Sequence, residues 1–309
     1  MVLSRRTSPI ASSLPHTGLD PQTVDTDNAI APEDTQLLQP EDGFSDTPAD
    51  AKYQHRQPQH GARLLSWAEL PEWMKDNQFI HTGYRAPANS YARCFASWFY
   101  LHNETGNIMT HLLGALLFVT LCYTVTSSLL QEFPTIDWRD VTTLYVFLLG
   151  AVGCMGTSAI YHTVTCHSPT VQRAYNKCDY VGIVLLIVAP KFATSEYRPL
   201  RAATFIALGL SGIVPAIHSI WLFGWEYTLN AVQVPYMLMM GGTYIVGAVI
   251  YSARFPERLW PGKFDYWLHS HQIFHIFVVI AAIFHYIGVS RALRWTHTAG
   301  LELCPVPQQ

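Results

Sequence analysis

An all-α bundle of membrane-crossing helices is the fold this sequence predicts, and three observations predict it. Charged residues make up only 13% of its 309 residues, about half the share of an ordinary soluble domain. Five stretches, Ile108–Leu130, Val141–Tyr161, Ala202–Phe223, Ala231–Tyr251 and Tyr266–Ser290, contain no Asp, Glu, Lys or Arg. Each has the roughly 20 residues that a hydrocarbon core of about 30 Å requires of a helix. Basic residues, finally, gather in alternate connections between those stretches.

The N-terminal part is polar. Between Asp20 and Asp50 stand nine acidic residues and no Lys or Arg, so residues 1–62 read as a disordered acidic tail that cannot bury enough apolar area to offset its ordering entropy. No apolar run succeeds Met1–Arg6, so no cleaved signal peptide is expected and the N-terminus is placed in the cytosol. Residues 63–107 form a cytosolic juxtamembrane region. Within Arg63–Asp76, Ser66 and Glu69 have capping-box spacing, while Leu70, Trp73 and Met74 can share a helix face. That fits a short interfacial helix, or equally an amphipathic turn packed on protein.

The transmembrane domain is expected over 108–290, with a short tail, 291–309, after it. A sixth apolar stretch, Tyr180–Pro190, is closed by Pro190 and Lys191. It is too short to cross and is expected to dip into the membrane and return. Arg85 and Arg93 before the first span, Arg173 and Lys177 after the second, Lys191, Arg198 and Arg201 before the third, and Arg254, Arg258 and Lys263 before the fifth place those connections in the cytosol. The outward loops hold Arg139 alone, outnumbered by acids, and Arg291 and Arg294 after the last span also fall on the outward side.

Composition also excludes. A net charge of −3 with a pI near 6.5 gives no basic field for nucleic acid. The six cysteines lack a CxxC pair, which suggests neither a disulfide framework nor a thiolate zinc cluster, and they read as packing residues.

Polar groups inside a membrane are costly and therefore informative. His271 and His275 are four residues apart and present two imidazoles on one helix face, at a separation one metal can bridge. His162 ends the second span, with Ser158 one turn before it on the same face. The predicted topology brings all three histidines to the cytosolic boundary. Any one alone would pass as a satisfied core histidine; together they point to a metal, and three imidazoles with an open fourth position favour zinc, Zn2+. Asp179, at the same depth, either hydrogen-bonds a metal-bound water or caps a helix. His269 is expected to point away from His271, and His111, His218 and His285 read as lone bundle histidines. Glu104 to Asn107, together with His111, reads as a hydrogen-bonded helix start.

Five motifs carry a family resemblance: Glu104-Thr-Gly-Asn-Ile-Met-Thr-His-Leu-Leu-Gly114, Ser158-Ala-Ile-Tyr-His162, Asp179-Tyr-Val-Gly-Ile183, Leu208-Gly-Leu-Ser-Gly-Ile-Val-Pro215 and Phe264-Asp-Tyr-Trp-Leu-His-Ser-His-Gln-Ile-Phe-His275. Over about residues 64–290 the chain resembles the progestin and adipoQ receptor family, in its branch of adiponectin receptors and fungal relatives akin to hemolysin III. The resemblance implies seven transmembrane helices, a cytosolic N-terminus and zinc on His162, His271 and His275, with Asp179 and Ser158 positioning the zinc-bound water. It further implies ceramidase-like amide hydrolysis, ligand sensing, and lipid or zinc homeostasis. The partners implied are membrane lipids, a ceramide or sterol-like ligand, and an extracellular protein ligand.

The departure lies after Asp179. Where the family has about half of one more helix and all of the next, this chain has only Tyr180–Pro190. The missing length approximates two half-helices and their loop, and because an outward and a return crossing vanish together the helices beyond keep their orientation; a gene-model or splicing deletion is the reading. Two functions stay open. One is a zinc-dependent lipid-amide hydrolase coupled to signalling, and the other is a non-catalytic receptor or sensor with structural zinc.

Overall fold

The computed structural model describes residues 63–183 except Pro134, then Ala203, Ala207, Leu210 and residues 213–300. The expected acidic tail and the end of the C-terminal tail lie outside the described residues, as does the greater part of Tyr180–Pro190. Two short strands, β1 (Leu64–Leu65) and β2 (Tyr84–Arg85), pair antiparallel. The helices beyond them are α1 (Tyr91–Ala96), α2 (Thr105–Glu132), α3 (Trp138–Val164), α4 (Pro169–Ile183), α5 (Ile213–Phe223), α6 (Trp225–Ala231), α7 (Val234–Ala253) and α8 (Ser270–Trp295).

Four helical stretches, Thr105–Leu129, Trp138–Val164, Val234–Ala253 and Ser270–Thr298, are long and apolar enough to cross a membrane. Of the remaining expected span, the third, Ala202–Phe223, mainly the part forming α5 is described. The helices turn large apolar side chains outward, with Leu113 at 64%, Val146 at 69% and Leu238 at 62% exposure. Such surfaces are stable against lipid and aggregation-prone in water. Inside, α2, α3 and α8 share one core, in which Phe118, Leu144, Leu148 and Met155 pack with Val278 and Ala282. Asp137 starts α3 by accepting from the Arg139 and Asp140 amides at 2.8 and 3.2 Å, and Asp140 reciprocates on the Asp137 amide at 3.3 Å. That reciprocal pair satisfies N–H groups that have no partner within the helix.

The juxtamembrane segment differs from the expected interfacial helix. Trp67–Glu69 and Glu72–Met74 form separate 3₁₀ turns, because Pro71 between them brings no N–H to continue a helix. The Ser66 amide does donate to the Glu69 carboxylate, at 2.9 Å. Leu70, with Leu65, Ile80 and Tyr84, is buried in a small cluster of its own, so this face packs on protein. The exposed aromatic side chains nearby sit instead on and just after α1, at Tyr91, Phe95 and Phe99, a four-residue spacing that lines one helix face.

The same segment is fastened to the loop before α8. The Asp265 carboxylate accepts from the His81 and Thr82 amides, both at 2.9 Å, and from the Thr82 hydroxyl at 2.6 Å. Glu257, wholly buried, accepts from Asn77 Nδ2 at 3.1 Å and from the Ser270 amide at 2.7 Å. An acid there also complements the positive end of the α8 dipole. The last span accordingly begins at Ser270 rather than Tyr266. Leu268 has φ of 61°, a left-handed conformation that ends any helix running through it.

Close packing yields a test. A Cβ at Gly114 would meet Met155 Sδ at 2.6 Å and Val279 Cγ2 at 2.9 Å, whereas one at Gly153 meets nothing within 4 Å among the described residues. Gly114→Ala should lower stability by about 1–3 kcal/mol through overpacking, while Gly153→Ala should stay within about 0.5 kcal/mol of the parent. Thermal unfolding of the two variants in detergent measures the difference.

Candidate metal centre

The end of α3 and the starts of α2 and α8 meet at one end of the bundle, and each brings polar side chains that its own helix places. His162 lies in the last turn of α3, and Ser158, one turn earlier, is buried on the same face. His271 and His275 lie in the first two turns of α8, where their i, i+4 spacing keeps both rings on one face. The rings of His162, His271 and His275 form a nearly equilateral triangle, with centroid separations of 4.9, 4.8 and 4.8 Å and interplanar angles of 86°, 72° and 76°. One ligand nitrogen from each lies within 4.8 Å of the others.

Hydrogen bonds fix the orientation of two rings. His162 Nδ1 donates to Glu104 Oε2 at 2.8 Å, leaving Nε2 buried without a hydrogen-bond partner. His275 Nδ1 donates to the Asn107 carbonyl at 3.1 Å, so its Nε2 carries the lone pair. A carboxylate or carbonyl on one ring nitrogen with the other nitrogen aimed inward is the usual support of a metal-ligating histidine. The donor set therefore fits a metal. A tetrahedral site with bonds of about 2.0–2.1 Å has an edge of roughly 3.4 Å, so small side-chain rotations would close the triangle.

Asp179, in α4, lies in the same region, close enough to Ser158 and to the His162 ring for both to act on its carboxyl. One of its oxygens is buried without a partner among the described residues. His111 stacks on His275 at 3.7 Å between centroids with both its nitrogens unpartnered. His269 stands apart from the cluster. It sits just before α8, with Nε2 3.2 Å from the Asn103 carbonyl. His285 is remote too, its Nδ1 against Met240 Sδ at 3.0 Å.

Sequence reasoning missed Glu104, whose partner lies 58 residues away. The available signal was its register, since Glu104, Asn107 and His111 recur at helical spacing on one face. A cleft of about 60 Å³, bounded in part by Asn103, Glu104, His269 and His271, reaches the cluster from the juxtamembrane side. Outside the membrane, burial first and the Arg85 charge second push His102 down to about 3. His102 is thus a neutral acceptor for the Glu104 amide, 3.1 Å away.

Comparison with known proteins agrees with this architecture. A family model described as Haemolysin-III related matches residues 99–191 and 188–286. The chain belongs to the Haemolysin-III related family. Relatives include the Adiponectin receptor protein of Drosophila melanogaster, 37% identical over 265 residues covering 74% of this chain and 59% of that protein. Progestin and adipoQ receptor-like protein 1 of Caenorhabditis elegans is 37% identical over 74% of this chain and 60% of its own length. The ADIPOR-like receptor IZH2 of Saccharomyces cerevisiae is 36% identical over 76% of this chain and 86% of its own length. The chain thus spans less than two thirds of the fly and worm relatives. Its two stretches of family match meet at residues 188–191. Moreover, 74% of 309 residues is about 229, so about 36 of the 265 positions aligned with the fly protein have no counterpart here.

Two measurements test the centre. Replacing His162, His271 or His275 by Ala should lower the metal content of purified protein, whereas the folded fraction of His269→Ala should keep it; elemental analysis reads both. Glu104→Gln should weaken metal affinity by roughly 10–100-fold without abolishing binding, as measured by competition with a chelator.

Proposed function

We propose that this protein is a zinc-dependent hydrolase of a lipid amide, with ceramide as the model substrate, and that turnover is coupled to signalling and to lipid or zinc homeostasis. The observation that carries this reading is the triangle of three imidazoles, two buried and one half-buried, with an Asp179 oxygen beside it that has no partner among the described residues. Three neutral imidazoles with an open fourth position are a hydrolytic rather than a structural donor set. When bound there, zinc would polarise the amide carbonyl and lower the pKa of a bound water to around 7.

The chain's own residues do the rest. His162, His271 and His275 are the ligands, and Glu104 and the Asn107 carbonyl hold two of those rings in register. Asp179 accepts the proton of the attacking water and returns it to the leaving amine, the exchange a general acid–base residue performs. Ser158 holds the Asp179 carboxyl in place. The cleft beside Glu104 admits water, and the bilayer supplies the acyl chain from the side.

A second reading is favoured by the names of the relatives, several of which are receptors. In it, zinc ties α3 to α8, and a sterol-like lipid or an extracellular protein is sensed without turnover. Amide hydrolysis by zinc-loaded protein that disappears in Asp179→Ala, with zinc still bound, selects the hydrolase. Equal product from parent and variant removes Asp179 from the chemistry, and no product from either selects the sensor. The N-terminus and the metal centre both belong to the cytosolic side in this reading. A tag at the N-terminus should then be reached by antibody only after the plasma membrane or endomembrane that holds the protein is permeabilised, and access in intact cells reverses the orientation.

A further inference from the structure

Away from the histidine cluster, two thiols face one another. Cys94 is the one buried residue of α1, and Cys166 lies two residues beyond the end of α3. Their sulfurs are 3.6 Å apart, and the residues are 0% and 2% exposed. Val164 is buried with them, and Met74, Ala88 and Tyr175 pack around the pair. Backbone bonds hold the two segments in register: the Ala88 amide donates to the Cys166 carbonyl at 2.8 Å and the Asn89 amide to the His167 carbonyl at 3.0 Å. A disulfide requires the sulfurs to come about 1.5 Å closer, within reach of side-chain rotation. Among the described cysteines, Cys122, Cys154 and Cys178 make no such contact.

The surroundings favour chemistry over packing. The hydrogen bond shared with the Cys94 sulfur pulls the Cys166 thiol down; burial opposes this, and the Arg85 charge assists it. A thiolate so supported is the nucleophilic form. Access comes from the slightness of α1: six residues with one buried side chain open locally at low cost.

We propose that Cys94 and Cys166 are a reversible redox pair, oxidised by a hydroperoxide to a disulfide that fastens α1 to the metal-bearing end of α3. The Cys166 thiolate attacks the terminal peroxide oxygen, the O–O bond breaks, and an alcohol leaves with a proton, giving the sulfenic acid. The Cys94 sulfur then displaces water from that sulfur, its own proton leaving in the water. Two electrons pass from the thiols to the peroxide, and a dithiol reductant reverses the step by exchange. The bond reaches the metal centre through one residue. Arg85 donates to Ser97 Oγ, just beyond α1, at 2.8 Å and to the His162 carbonyl at 2.6 Å.

Reduced full-length protein in detergent is treated with one equivalent of hydrogen peroxide, alkylated with N-ethylmaleimide, digested without reductant and mapped by mass spectrometry. The Cys94–Cys166 linked peptide should be the main oxidised species, at least five-fold above any other, and should vanish with dithiothreitol. In Cys94→Ser, Cys166 should be trapped by dimedone as the sulfenic acid. Oxidised parent protein should also be cut by trypsin at Arg93 several-fold more slowly than reduced protein. Oxidation of the exposed Cys178 while Cys94 and Cys166 are alkylated overturns the pair, and an unchanged cleavage rate overturns the fastening.

Discussion

A guanidinium buried at the end of a helix organises this end of the protein. Arg85 is 3% exposed, and it donates to the His162 and Thr163 carbonyls, to Thr165 Oγ1 and to Ser97 Oγ, at 2.6–2.8 Å. The last carbonyls of a helix lack partners within it, and the negative end of its dipole attracts a cation. A charge at this depth is tolerated because its donors meet oxygen atoms. Arg85 therefore joins β2, the turn after α1 and the end of α3, and it does so through the backbone of the residue that contributes the first imidazole.

The polar cluster is costly without an occupant. His162 Nε2, both nitrogens of His111, Asn107 Oδ1 and one oxygen of Asp179 are buried with no partner among the described residues. Each such atom costs roughly 1–3 kcal/mol if left unsatisfied. Gathered on the elements that carry the three imidazoles, these atoms describe the environment of a ligand more readily than that of a packing core. Glu104 holds His162 by Nδ1 and so leaves its orphaned nitrogen for that ligand.

Local features were the ones legible in the sequence. The i, i+4 pair His271 and His275, the Ser66–Glu69 spacing and the long uncharged stretches all depend on neighbours a few residues away, and helical periodicity determines them. Glu104 was not legible as a supporting residue, because its ring partner arrives from another helix. Arg63–Asp76 has the apolar spacing of one helix, but Pro71 interrupts it, and in the folded chain Leu65, Ile80 and Tyr84 reward a tighter turn. The start of α8 lies four residues later than its apolar run suggests, because the buried Glu257 that accepts from the Ser270 amide lies thirteen residues before it.

The three imidazoles also impose an order on biogenesis. His162 is made with the second span, and the two rings that complete the triangle come only with the last. During synthesis α2 and α3 can pair through Phe118, Leu144 and Leu148 while two corners of the cluster, His271 and His275, are missing. A metal that needs all three rings can be captured only after α8 is inserted the right way round. Capture at this end of the bundle would then act as a checkpoint that a correctly threaded chain passes and a misthreaded one does not.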